Sequence, residues 1–316
     1  MNKHILFLIT NRIFISMITL LIIAVIVFVA TTLLPGDTAT ILLGQSATPE
    51  AIEGLRKAMQ LDEPAFTRFI TWIVAFFHGD LGISYANDMP VADMVGRRLL
   101  NSLKLASVTT AFAVPLSLFL GITTAVMRGS IYDRAVTIFT IGVISIPEFM
   151  VATTAVLIFA VYLKWLPALS LTADIDTLAG LLRAYAMPVI TLTCVVSAQM
   201  IRMTRAAVID ALASPYVEMA LLKGASRKRL VLSHALPNSL GPIANAMALS
   251  LSYLLGGVII VETIFNYPGI AKLMVDAVTT RDLPLIQSCA MIFCLAYLLL
   301  VTIADLIAIL SNPRLR

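Results

Sequence analysis

Residues 13–34 read IFISMITLLIIAVIVFVATTLL, an apolar run with no charged side chain. A hydrocarbon core about 30 Å thick needs roughly 20 helical residues at 1.5 Å each, and this run is long enough. Its basic flank, Lys3 and Arg12, imitates a secretory signal. The run exceeds the roughly 7–15 apolar residues of a cleavable one, so an uncleaved membrane anchor is expected.

The rest of the 316-residue chain has the same character. It is 59% hydrophobic and 13% charged, with a mean hydropathy of +0.96, whereas soluble domains carry about 25% charged residues. Span-length stretches lie near 12–34, 100–127, 136–163, 184–206, 238–261 and 286–310. Lipid admits only elements that satisfy their own backbone groups, so the expected fold is an all-α integral membrane bundle of six transmembrane helices. Cys194, Cys289 and Cys294 all fall inside these stretches, which suggests neither a disulfide framework nor a metal cluster.

Short loops set the orientation. With a cytosolic N-terminus, the inner side carries Lys3, Arg12, Arg128, Arg134, Arg202, Arg205, Lys223, Arg227, Lys228, Arg229, Arg314 and Arg316, against only Asp133, Asp210 and Glu218. The outer side collects Asp37, Glu50, Glu53, Asp62, Glu63, Asp80, Asp88, Asp93, Asp174, Asp176, Asp276 and Asp282. Both termini are therefore expected in the cytosol. The net charge of +4 is this asymmetry and implies no nucleic-acid partner.

Four regions follow: a first span (1–34), an external loop (35–98), a core (99–310) containing a cytosolic loop at 207–237, and a tail (311–316). Pro49 and Pro64 suit helix starts. Phe66, Phe69, Ile70, Ile73, Val74 and Phe77 recur at helical spacing, predicting an amphipathic helix on the membrane surface.

Within the fifth span, Ala244, Ala248, Ser252 and Gly256 recur every four residues with Asn245 beside them. Such a face lets helices approach closely; it fits a subunit interface, a pathway wall or an internal contact equally. Glu148 follows Pro147 near the middle of the third span. An ionisable group there must face the bundle or a wet cavity, reach the surface through a break at Pro147, or sit protonated. Asp305 reads as an anchor or internal partner.

No GxxxxGK[ST], HExxH or GxSxG motif occurs, and His4, His78 and His234 are scattered. The chain is expected to be no enzyme and to hold no cofactor, with any ATP bound by separate subunits.

The most hydrophilic run in the core is YVEMALLKGASRKRLVLSHALPN, residues 216–238. Gly224 can close a short helix by taking positive φ, Ser226 can cap a second, and Pro237 follows. Met219, Leu222, Ala211, Leu212 and Pro215 are expected to supply apolar contacts. Two short helices at a glycine corner, rimmed with cations, form a knob suited to docking a soluble partner. A loop that only fixes topology accounts for the charges but not the layout.

The spacing Glu218-Met219-Ala220, Gly224, His234-Ala235-Leu236-Pro237 resembles the EAA loop of ABC importer permeases, with Met219 for Ala and His234 for Ile. LLPGD (33–37), LDEP (61–64), GDLGIS (79–84), SIPEF (145–149), RMTRAAVIDAL (202–212), VETIFNYPGI (261–270), RDLPLIQ (281–287) and NPRLR (312–316) resemble the dipeptide, oligopeptide and nickel branch. The resemblance implies a type I importer bundle in the bacterial inner membrane. It implies a second permease, two ATP-binding subunits and an external solute-binding protein as partners. Tyr216, Glu218, Ala220, Gly224, Ala225, Arg227 and His234 would then meet the ATPase, and Asp88, Tyr267, Pro268, Gly269, Arg281 and Asp282 the binding protein. The alternative is a stand-alone transporter or channel using Glu148 or Asp305 as an ion or proton site.

Overall fold

The computed structural model describes residues 3–33, 38–43, 48–59, 61–170 and 177–311. Most of LLPGD, including Asp37, with Asp174, Asp176 and the tail NPRLR with Arg314 and Arg316, lies outside the described residues. The helices are α1 (Lys3–Thr32), α2 (Thr38–Leu43), α3 (Pro49–Ala58), α4 (Ala65–Phe77), α5 (Val91–Val126), α6 (Ile131–Ser145), α7 (Glu148–Ala155), α8 (Leu178–Leu212), α9 (Pro215–Leu222), α10 (Arg227–Arg229), α11 (Leu236–Ile264), α12 (Ile270–Thr280) and α13 (Leu283–Ser311). Two π-helical stretches, Val156–Tyr162 and Leu230–Ala235, extend α7 and join α10 to α11.

Among the described residues, five helices are long and apolar enough to cross a membrane: Ile9–Thr32, Val91–Val126, Ala179–Leu212, Arg227–Ile264 and Leu283–Ile303. The third expected span is broken: Ile131–Ser145 and Glu148–Tyr162 meet at a bend of 105°, and taken together they make a sixth span. Pro147 offers no N–H to a helix, and its ring pushes the preceding residue toward extended backbone. Ile146 adopts that conformation, at φ −96° and ψ 131°.

The chain forms two compact units. The first comprises Met1–Arg12, Lys104–Tyr267 and Leu299–Arg316. Its principal pair is α8 against α11, and Gly121 of α5 lies so close to Thr204 of α8 that a Cβ there would overlap it. Small residues of this kind let membrane helices approach. Arg12 forms an ion pair with Asp305, which gives that aspartate an internal partner.

The second unit comprises Ile13–Leu103 and Pro268–Leu298. Packing thus joins α1 and the 268–298 segment to the described part of the 35–98 region. Phe28 of α1 meets Phe69 edge-on at 5.3 Å and stacks on Trp72 at 6.0 Å, beside buried Leu20, Ala24, Ile73 and Met291. The apolar stripe predicted for α4 divides: Phe69 and Ile73 pack inward, while Phe66, Ile70, Val74 and Phe77 are exposed. Trp72 and Phe76 complete the inner face, so this helix is apolar on two sides. Gln287 donates to the Thr31 hydroxyl at 2.9 Å, tying α13 to α1.

Candidate functional site

The knob predicted at 216–238 begins where α8 ends. α8 continues to Leu212, past the expected limit of the fourth span, and Ala213 and Ser214 turn the chain. Pro215 then opens α9, where its missing N–H costs no hydrogen bond. At the other end, Gly224 takes φ +80°. Its N–H donates to Leu221 C=O at 2.9 Å, and that of Ala225 donates to Ala220 C=O at 3.1 Å. This paired closure is the Schellman arrangement, and the expected glycine corner is present.

Two expectations change beyond the corner. Ser226 has the extended backbone of a cap, but its hydroxyl makes no capping bond. Pro237 does not end a short second helix, because Arg227–Ile264 is continuous. Pro237 sits in the first turn of α11, where it withholds the donor that Ser233 C=O would otherwise receive. The chain accommodates this loss with the wider π-helical turn over Leu230–Ala235.

Burial reverses another expectation. Val217, Leu230 and Ala235 form the inner cluster of the elbow, with Ala211, Leu212, Ala220 and Ala225 against it. Met219 and Leu222, expected to supply apolar contacts, are exposed, Leu222 by 75%, together with Tyr216 and Leu221. PYVEMALL is apolar on nearly every side, so periodicity alone could not choose the inner face. The result is an exposed apolar tip beside exposed Glu218, Lys223, Arg227, Lys228 and Arg229. His234 is half-buried, and its C=O accepts from the Asn238 amide at 2.8 Å.

Side chains fasten the elbow to its neighbours. Arg227 Nη2 donates at 2.7 Å to Val126 C=O, the last residue of α5, whose carbonyl has no partner within its own helix. A cavity of about 500 Å³ opens beside this bond, lined by Val126, Arg128, Leu212, Val217, Glu218 and Arg227 among others. Two turns above the end of α8, Arg205 grips Asp133 with two donors, at 2.7 and 3.0 Å. Asp133 also accepts from Gly129 N–H at 2.9 Å, so the α5–α6 turn and α8 share one carboxylate. Nothing in the spacing of Asp133 and Arg205 announces this pairing.

Comparison with known proteins identifies the family. Residues 117–316 match the family described as "Binding-protein-dependent transport system inner membrane component", and residues 5–106 match its companion, "Binding-prot-dependent transport system membrane comp, N-term". The chain belongs to this permease family. It is 36% identical over 298 residues to the "Glutathione transport system permease protein GsiC" of Escherichia coli O6:H1, covering 94% of this chain and 95% of that protein. The proteins of the same description in E. coli K12 and Shigella dysenteriae serotype 1 are 35% identical with the same coverage. This is therefore an inner-membrane, multi-pass ABC importer permease of type I fold, and not an enzyme.

Elsewhere in the permease the predicted residues separate. Glu148 stands in the first turn of α7, just past the 105° bend, half-buried with Oε1 unpartnered among the described residues. It packs against Gly257 so tightly that a Cβ there would overlap the carboxylate. Of the small stripe, Ser252 is buried with its hydroxyl on Ala248 C=O, and Ala244, Asn245 and Ala248 are half-buried. Gly256 meets only open space. The close approach is made one residue on, where the helix has turned 100°.

The six residues expected on the external face also divide. Asp88 is exposed, in the left-handed region at φ 53°. Tyr267 is fully buried and donates to the Tyr185 hydroxyl at 2.9 Å. Burial above all, then this bond, holds its phenol well above the usual range, so it stays protonated. Pro268 C=O accepts from Asn101 at 2.9 Å, Gly269 is buried at the start of α12, and Arg281 closes that helix at φ 55°. Asp282 is fully buried. Its carboxylate accepts from Ser84 Oγ, from Tyr85 and Ala86 N–H at 3.2 and 3.4 Å, and from Leu285 N–H in the first turn of α13 at 3.4 Å.

Proposed function

We propose that the elbow over 213–235 is the surface on which an ATP-hydrolysing subunit grips this permease. In this reading both termini lie on the ATPase side, and the 35–98 region faces a solute-binding protein outside. A homologous second permease and two ATP-binding subunits complete the assembly. One observation carries it: a rigid, Schellman-closed helix whose outward residues, Tyr216, Met219, Leu221 and Leu222, are apolar although its inner face is already packed. An apolar patch rimmed by charge on a soluble face is the mark of a partner site. The Arg227–Val126 bond ties the elbow to α5, and the Asp133–Arg205 pair links α8 to the start of α6. A tilt imposed on the elbow is therefore passed to α5, α6 and α8 through these contacts.

Gly224→Asp tests the reading. The site has open space but a backbone that side-chain-bearing residues resist. ATP-driven uptake is expected to collapse while the protein remains in the membrane; uptake at the normal rate would remove the docking assignment.

For cargo, the similarity to permeases named for glutathione transport supports a small peptide-type solute. Uptake of labelled glutathione and of dipeptides by cells with and without the gene checks this. A peptide cargo predicts loss of at least one of these fluxes.

A further inference from the structure

In the second unit, α4 and the turn at 80–85 enclose a cavity of about 250 Å³ that the transport reading leaves unused. Arg68 lines it, held over the Phe28 ring at 5.8 Å to the centroid. A guanidinium has five N–H donors. Among the described residues one is engaged, Nη1 to Leu61 C=O at 3.1 Å, and no carboxylate lies within ion-pair reach of Arg68. The two acids in the lining are directed elsewhere or open to solvent. Asp80 Oδ1 accepts from Gly82 N–H at 2.9 Å, and Glu63 is exposed.

Trp72, which carries an indole N–H, and Tyr85, which carries a phenol, also line the cavity. Burial raises the Tyr85 phenol above its ordinary range, with Arg68 opposing and Asp282 adding, so it titrates above neutral pH and serves as a donor. A partly shielded cation with no carboxylate in ion-pair reach among the described residues is an incomplete electrostatic arrangement. A planar fork of this type matches a carboxylate or a phosphate.

We propose that this cavity binds a compact anionic group, a carboxylate or a phosphate monoanion, with Arg68 as anchor and Trp72 and Tyr85 as flanking donors. Two sources offer that chemistry. One is the phosphate of a phospholipid headgroup, which the exposed apolar residues Phe66, Ile70, Val74 and Phe77 of the same helix would bring alongside. The other is the carboxylate of a small free solute. The proposal stands on the cavity itself, whichever face of the membrane it occupies.

The test uses the purified permease in its transporter complex. Native mass spectrometry compares retention of phosphatidylglycerol with that of diacylglycerol bearing the same acyl chains, and calorimetry measures binding of dialanine. Arg68→Gln is expected to weaken one of the two anionic probes roughly tenfold or more and to leave diacylglycerol unchanged, because bonds to a charged group are lost. Arg68→Lys should recover part of the loss. The arm that responds names the source. Tyr85→Phe keeps the ring and removes one donor, so it carries the same test, with a smaller fall, should Arg68→Gln not fold. Equal retention of both anionic probes by wild type and variants would overturn the proposal, as would failure of the wild type to hold either.

Discussion

Asp133 and Asp282 are both shielded from solvent, at 4% and 0% exposure, yet they are satisfied in opposite ways. Asp133 faces a cation: Arg205 holds it with two donors, and Arg205 is itself 27% exposed. Asp282 faces no cation within ion-pair reach among the described residues; a hydroxyl and three backbone N–H groups from two distant segments converge on it. An ion pair with one open partner can loosen, because water takes over part of what is lost. A fully buried carboxylate held by neutral donors, two of them buried, has less of such a substitute. The first arrangement suits a joint through which movement passes, and the second suits a fixed anchor.

The largest expected effect follows from that contrast. Asp282→Ala orphans the buried Ser84 hydroxyl and three N–H groups, and should cost about 3 kcal/mol of stability. Asp133→Ala leaves Arg205 unpaired but able to reach solvent, so about 2 kcal/mol is expected, discounted from the fully buried case. Thermal unfolding midpoints of the purified variants, measured side by side, rank the two. A larger drop for Asp133→Ala would break the comparison. The second variant should also impair transport more than its stability loss explains, since it severs α8 from the α5–α6 turn.

Leu222→Asp sharpens the distinction between holding and being held. The side chain is largely exposed, so stability should change by no more than about 0.5 kcal/mol. Uptake and co-purification of the ATP-binding subunit should nevertheless fall at least roughly tenfold if the tip is a docking surface. Normal co-purification would show that the exposed apolar residues of α9 serve something else.

These residues also show where the sequence was legible. Gly224 was readable because one residue type dominates left-handed corners, and a break at Pro147 was one of the readings open to the sequence, although Pro115, Pro188 and Pro242 sit inside unbroken helices. The 105° bend was not readable, since a proline fixes a break but not the direction taken afterwards. The inner face of α9 was hidden by its uniform apolarity, which placed Leu222 inside and overlooked Val217. Asp282 misled for another reason: an aspartate in a polar loop reads as exposed, and its principal partner, Ser84, lies 198 residues away in the chain. A separation of 72 residues likewise concealed the grip of Arg205 on Asp133.

The smallest expected effect compares corners of identical hydrogen bonding. Like Gly224, Asn266 follows a helix in the left-handed region, at φ 49°, with its own N–H on Thr263 C=O and that of Tyr267 on Glu262 C=O. Asparagine tolerates this backbone better than most residues but less well than glycine. Its side chain is exposed, so replacing it removes little packing. Asn266→Gly should therefore be neutral or stabilise by up to about 0.5 kcal/mol, while Gly224→Ala should destabilise by about 1 kcal/mol. Opposite signs in paired unfolding measurements would establish that backbone conformation, rather than contacts, sets both corners. A matching loss in the two variants would mean that Asn266 contributes through its side chain.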